Sequence, residues 1–219
     1  MRKYNTSASQ QSVVDSTKDV QEQVSLAMIE TLIGEAYIPF AEVERAIPWP
    51  TMPEQLENDA EHSWSLAFVS LALAEKLGLD SGKVSRYAIC HDFVERYAGD
   101  TSAWDDEGLQ TKVAREAEAL AKITDEFGST PIIAQTIHAY ESQNDEESRF
   151  VYALDKLLAL LMVVSGEGAF WKRANISFRE FIERNEIIIS KVQAHPQVAS
   201  WYGELTDQIT SDRYKYFSK

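Results

Sequence analysis

The stretch HDFVERYAGDT, residues 91–101, decides how the chain is read. An adjacent His and Asp can hold one metal ion from a single helical turn. His91 offers an imidazole nitrogen and Asp92 a carboxylate oxygen. At about 100° per residue, His91, Asp92 and Glu95 fall within one arc of a helix, roughly 100° wide. Two adjacent residues do not complete a site, so further ligands must come from other helices. NDAEHSW (58–64) carries His62, and YALDKL (152–157) carries Asp155. Two imidazoles and two carboxylates suit a catalytic divalent ion better than a closed structural zinc site, which draws on thiolates. Such a site serves metal-assisted hydrolysis.

Working outward, nearly every patterned segment is helical. Val24, Met28 and Leu32 recur at helical spacing between Val20 and Gly34. IPWPTMP (47–53) holds three prolines in seven positions and reads as loop. Helices are expected over 60–77, with Gly78 as C-cap, and over 83–97, with Ser81 as cap. AGDTSAWDDEG (98–108) reads as loop. Further helices are expected over 109–127, 131–142, 146–166, 176–194 and 197–216, with Pro131 and Pro196 at tolerated first-turn positions. No alternating β-run of useful length and no internal repeat is found. The expectation is an all-α, single-domain helical bundle over residues 19–219, preceded by a loose polar tail over 1–18.

Composition sets limits. At 219 residues the chain suffices for one domain with a full core. One cysteine excludes an intrachain disulfide and fits a reducing compartment. The basic N-terminus has no apolar run behind it, and the longest apolar stretch, LLALLMVV (157–164), is too short to span a bilayer. These features lead to the expectation of a cytoplasmic protein with no membrane partner. A net charge of −14 repels nucleic-acid backbones and disfavours a polymer partner. A small anionic substrate remains compatible if a bound cation reverses the local potential.

On the expected helices, His62 lies on the stripe Leu66, Val69, Leu73. His91 shares a face with Val84, Ala88 and Glu95, and Asp155 lies on the stripe Val151, Leu158, Met162. Taken singly, each has a plainer reading: a hydrogen-bonded core histidine, a chance His-Asp pair, a carboxylate opposite an inward Lys or Arg. Jointly, three helices bring polar groups to an otherwise apolar interior, where an unpaired carboxylate is costly. A metal resolves that cost.

Glu-His-Ser at 61–63, the His-Asp doublet with Glu95 three residues on, Gly99-Asp100 and the late Asp155-Lys156-Leu157 together resemble the HD-domain metal-dependent phosphohydrolases. The branch most resembled contains bacterial 5′-deoxynucleotidases, and the resemblance covers roughly residues 20–190. It implies a core of five or six helices holding one divalent ion (Mn, Co, Mg, Zn or Ni) by His62, His91, Asp92 and Asp155. Glu95 takes the position of the acidic residue that helps activate water. It also implies a small phosphorylated substrate, foremost a (deoxy)nucleoside 5′-monophosphate, and a homodimer. The runner-up is hydrolysis releasing pyrophosphate or triphosphate from a nucleotide. A non-catalytic nucleotide- or metal-binding regulatory module is the reading from another class. Alarmone hydrolases follow their doublet with Glu-Asp, whereas this chain has Glu95-Arg96.

The remaining candidates carry alternatives. Asp100, with Thr101, either meets a substrate sugar or stabilises the turn AGDT. Trp49 either stacks on a base or packs over the core. The deoxynucleotidase pattern places Arg directly before Trp-Pro, but here Pro48 precedes Trp49, and Arg45 is not assumed to substitute. Lys156 either contacts phosphate or is solvated. Cys90 reads as a small hydrophobe, His138 as structural, and His195 has no assigned role. The aromatic C-terminus (Trp201, Tyr202, Tyr214, Tyr216, Phe217) either builds a dimer face or caps the core.

Overall fold

The chain turns back on itself just before the first helix of the site. β1 and β2, Glu44–Trp49 and Met52–Asn58, pair antiparallel, with register shifts around Pro48. Pro48 is tolerated because it sits at an irregularity of a two-stranded ribbon, where a missing N–H breaks no central ladder. The stretch 47–53, expected to be loop, is therefore largely hairpin. The computed structural model describes residues 24–218, so the tail expected over 1–18 lies outside the described residues. The chain divides into two compact units, meeting between Pro39 and Phe40. In the first, α1 (Leu26–Thr31) is capped by Ser25 and followed by a π-helical stretch, Leu32–Tyr37. A short turn, α2 (Ile38–Ala41), precedes the hairpin in sequence.

The second unit is helical apart from the hairpin. α3 spans Asp59–Leu77, within a residue of expectation, and ends at Gly78, whose φ of 73° is the left-handed C-cap conformation. Its start is over-determined. Asn58 Oδ1 accepts from the Glu61 N–H at 3.0 Å, while Glu61 Oε2 accepts from the Asn58 N–H at 3.1 Å. This capping box fixes the turn that carries His62.

α4 (Ser81–Cys90) is capped by Asp80, not by Ser81, because the Asp80 carboxylate accepts from the Lys83 N–H at 2.9 Å. The helix expected over 83–97 breaks after Cys90. Bonds from Phe93 N to Cys90 O (3.2 Å) and Glu95 N to Asp92 O (2.8 Å) close tighter turns, and α5 (Glu95–Ala98) resumes. In such i→i+3 geometry, residues three apart eclipse one another, which sets Asp92 and Glu95 on one side.

α6 (Asp106–Glu126) and α7 (Ile132–Ser142) lead to α8 (Glu146–Ser165). A short α9 (Ala169–Arg173), not foreseen in the sequence, precedes α10 (Phe178–Val192), which fills the helix expected over 176–194. α11 (Pro196–Ser211) and α12 (Arg213–Tyr216) complete the unit.

α8 is central, packing against α3, α4, α7, α10 and α11. Phe150, Val151, Ala153 and Leu154 are essentially fully buried there, each large side chain contributing about 1.5–3 kcal/mol. The C-terminal aromatics cap this core: Trp171 stacks on Phe217 at 4.7 Å, and Tyr202 and Tyr216 are buried. Of the aromatic set considered for a dimer face, only Tyr214 stands exposed.

Asp145 anchors the start of α8. Its carboxylate accepts from the Ser148 N–H (2.8 Å) and Tyr87 Oη (2.8 Å) and pairs with Lys83 Nζ (2.9 Å). Partial burial opposes the charge, but the Ser148 N–H, Lys83 and Tyr87 outweigh it and hold the carboxyl at about 2. The folded state therefore favours the ionised form. That stabilisation is full above about pH 4, the ordinary value, and is lost as pH falls toward 2. Asp145→Ala is expected to cost about 1 kcal/mol at neutral pH as a lost N-cap. It should also flatten the acid limb of stability in urea unfolding between about pH 4 and 2.

Candidate metal centre

Four elements of the second unit converge on one spot: β2, the first turn of α3, the turns after α4, and the middle of α8. His62, His91 and Asp92 present donor atoms that all lie within 4.8 Å of one another. Asp155 joins them, with Oδ1 2.9 Å from His62 Nε2 and 4.0 Å from His91 Nε2. The two imidazoles lie 5.3 Å apart, both nearly fully buried.

The tautomer of His91 is set by the backbone. Its Nδ1 lies 2.9 Å from the Ala88 carbonyl and must donate to it. In the neutral ring, the form that ligates a metal, the lone pair is then on Nε2. That atom is buried without a hydrogen bond, although Asp92 Oδ2 lies 2.9 Å away. At that distance a positive centre, a proton or a metal ion, belongs between the ring nitrogen and the carboxylate oxygen. This is the arrangement of a metal-ligating histidine, with the far nitrogen tied to a carbonyl.

His62 is held from both sides, by Asp155 at Nε2 and by Glu57 Oε2 at 3.5 Å from Nδ1. Burial and Arg45 oppose its charge, but Asp155 and Glu57 prevail and lift it to about 9. A cation at Nε2 would replace that proton. Burial works against ionisation of Asp92, yet His91 and Arg45 hold it well below the ordinary carboxylate range. Burial likewise opposes ionisation of Asp155, yet Lys156 and His62 keep it low.

Glu95 is 2% exposed. Its Oε1 meets Lys112 Nζ at 3.2 Å, and Oε2 is buried with no hydrogen-bond partner. Burial, then the charge of Asp92, push its carboxyl up to about 10, against the opposing pull of Lys112. Asp59, Asp92 and Glu95 form a second group of donor atoms within 4.8 Å. Carboxylates crowd here without enough cations, so the donor set fits a divalent ion.

The hairpin supplies what the sequence did not reveal. Arg45 Nη1 binds Asp92 Oδ2 at 2.9 Å and Asp59 Oδ1 at 3.2 Å, and its Nε lies 3.6 Å from Glu57. Burial disfavours its charge, but Asp92, Asp155, Asp100 and Glu95 raise its pKa above the ordinary guanidinium value. Arg45 thus stands at the centre despite its distance from Trp49. The buried carboxylates of Glu57 and Asp59 went unsuspected. The three prolines of 47–53 obscured the strand alternation that could have pointed to them.

A cavity of about 230 Å³ opens beside this cluster, lined there by Arg45, Asp92, Glu95, Asp155 and Lys156. Asp100 and Thr101 also line it, with Thr101 Oγ1 bound by Arg115 at 2.7 Å. Lys156 pairs with Asp155 Oδ2 and lies over the Tyr152 ring at 4.5 Å. Trp49 is not brought to the cavity. Its indole N–H donates to Glu61 Oε2 at 3.2 Å, fastening the hairpin to the capping box. Burial keeps the Cys90 thiol protonated, pushing it up to about 11, and Cys90 stays outside the cluster. His138 is exposed, and His195 packs edge-on to Phe150 at 5.2 Å.

Three comparisons bear on this geometry. A family model described as "HD domain" matches residues 42–196. The mouse protein "5′-deoxynucleotidase HDDC2" is 27% identical over 110 residues, 49% of this chain and 55% of that protein. This chain thus spans about half the length of that curated relative. A crystal structure of a "Predicted metal-dependent phosphohydrolase" from Magnetospirillum magnetotacticum MS-1 superposes with a TM-score of 0.72 at 26% identity. That match covers 89% of this chain and 96% of the other. With the family model matching well over half of its residues, this chain belongs to the HD domain family.

Proposed function

We propose that this protein is a divalent-metal-dependent phosphohydrolase that removes phosphate from (deoxy)nucleoside 5′-monophosphates. The observation that carries the reading is Nε2 of His91, buried without a hydrogen bond among His62, Asp92 and Asp155 while Nδ1 is tied to the Ala88 carbonyl. His62, His91, Asp92 and Asp155 would hold the ion. Bound there, it supplies Lewis-acid activation of water and neutralises phosphoryl oxygens. Glu95 handles the proton: its Oε2 is buried without a partner, while Lys112 fixes Oε1. Arg45 and Lys156 orient phosphoryl oxygens, and Asp100 accepts from a sugar hydroxyl beside Thr101. The similarity to the mouse 5′-deoxynucleotidase supports a nucleotide over other phosphomonoesters.

Lys112, Lys156 and Lys191 all line the cavity, which favours as second reading a substrate with a longer phosphate chain. No described helix is long and apolar enough to cross a membrane. A homodimer would use the exposed face of α3, where Trp64 and Phe68 stack at 5.3 Å beside Leu71.

The test strips the protein of metal and returns Mn, Co, Mg, Zn or Ni singly. Phosphate and pyrophosphate release are then followed from deoxy- and ribonucleoside mono- and triphosphates. Phosphate from monophosphates, only with metal, is the expected result. Pyrophosphate or triphosphate release selects the second reading. Nucleotide binding without turnover on any substrate identifies a regulatory module and sinks the enzyme.

A further inference from the structure

The cavity has two chemically different walls. One is the charged cluster. The other lies in the core, where Phe170, Trp171 and Phe181 line it together with Asn185 and Tyr202. Asn185 is 3% exposed and Tyr202 1%. Interiors are close-packed, so a cavity that reaches core side chains such as Trp171 and Phe181 invites an occupant. Large apolar walls with a few placed polar groups are the build of a small-molecule pocket.

The polar pair is oriented and only partly used. Asn185 Oδ1 accepts from Tyr202 Oη at 2.7 Å, which fixes the amide plane. Asn185 Nδ2 reaches Thr206 Oγ1 only at 3.5 Å. One N–H and one lone pair of the amide are left for a partner. An alkyl or acyl chain would bury them unsatisfied, which is costly. A second sugar would set its hydroxyls against Trp171 and Phe181. A flat ring with an adjacent donor and acceptor on its edge satisfies both walls.

We propose that Asn185, held by Tyr202, is a specificity-determining residue that hydrogen-bonds the edge of a nucleobase lodged against the aromatic side chains of the cavity. This rests on the nucleotide reading above, and its test needs no turnover. The full chain is titrated calorimetrically with deoxyadenosine, deoxyguanosine, deoxycytidine and thymidine, with 2-deoxyribose as the base-free control. At least one nucleoside should bind and deoxyribose should not. Asn185→Leu should weaken that binding about 10- to 100-fold, the loss for one unmade buried hydrogen bond. Asn185→Asp replaces the donor with an acceptor and should reorder the four nucleosides, which a merely structural role would not do. Tyr202→Phe retains the packing, frees the amide to rotate, and should narrow the differences among nucleosides.

The inference is overturned if no nucleoside is distinguished from deoxyribose, or if the variants keep the wild-type ranking and affinity. Should the Asn185 variants fail to fold, Tyr202→Phe alone decides on the same criteria. A protein that binds nucleosides but releases no phosphate loses only the hydrolase reading. One that releases phosphate yet ignores the base loses only this inference.

Discussion

Glu95→Gln should keep the bound metal and lose on the order of 10²- to 10⁴-fold in kcat, the range typical of removing a positioned acid–base group. The substitution is nearly isosteric in a pocket where Glu95 is buried, so packing changes little. The amide can no longer take up or release a proton at Oε2, the atom buried without a partner. Lys112 would lose its close ionic partner at Oε1 but keep Glu116, 3.2 Å away. Stability should therefore move far less than rate. Phosphate release and metal content measured on the same preparation check this. If the variant retains activity within a few-fold of wild type, Glu95 handles no proton.

His91→Ala should remove the metal itself. Changes to groups that merely orient a ligand typically cost 10- to 100-fold in affinity, so losing a ligand should cost at least about 100-fold. Elemental analysis after gel filtration should find the variant metal-poor, with phosphate release at background under conditions that saturate wild type. Cys90→Ser, one residue earlier, should bind metal as wild type does, because that thiol stays protonated and outside the cluster. A His91→Ala protein carrying stoichiometric metal would remove His91 from the ligand set. Glu57→Gln should lie between these cases. It leaves His62 in place and weakens only the carboxylate at 3.5 Å from Nδ1.

The four proposed ligands were legible in the sequence because polarity on an apolar stripe is conspicuous. Asp155 interrupts a run of buried apolar residues on α8, and His62 does the same among Leu66 and its neighbours. Helical spacing turned each segment inward, the family resemblance joined the four residues in one set, and the structure brings them together. The carboxylates that support them were hidden for a different reason. Glu57 and Asp59 belong to the hairpin and the junction after it, where Pro48, Pro50 and Pro53 outweighed any strand alternation. Arg45 was visible only as a residue too far from Trp49, and the fold brings it to Asp92 across the hairpin.

The break after Cys90 has no Gly or Pro to announce it. It is imposed by the tight turns that set Asp92 and Glu95 on one side. Trp49 illustrates the limit of reading function from residue type. An indole in a Pro-rich stretch suits a base or a core equally, and here its N–H is spent on Glu61. The fate of the C-terminal aromatics was likewise undecidable from periodicity, since a helix face does not say whether its partner belongs to the same chain.

Diffraction from crystals grown with manganese, recorded at a wavelength where that ion scatters anomalously, tests the metal centre most directly. The expected result is one strong anomalous peak about 2.0–2.2 Å from His62 Nε2, His91 Nε2 and one oxygen each of Asp92 and Asp155. A map with no peak among those four side chains, or with the ion seated instead between Asp59 and Glu95, would contradict it.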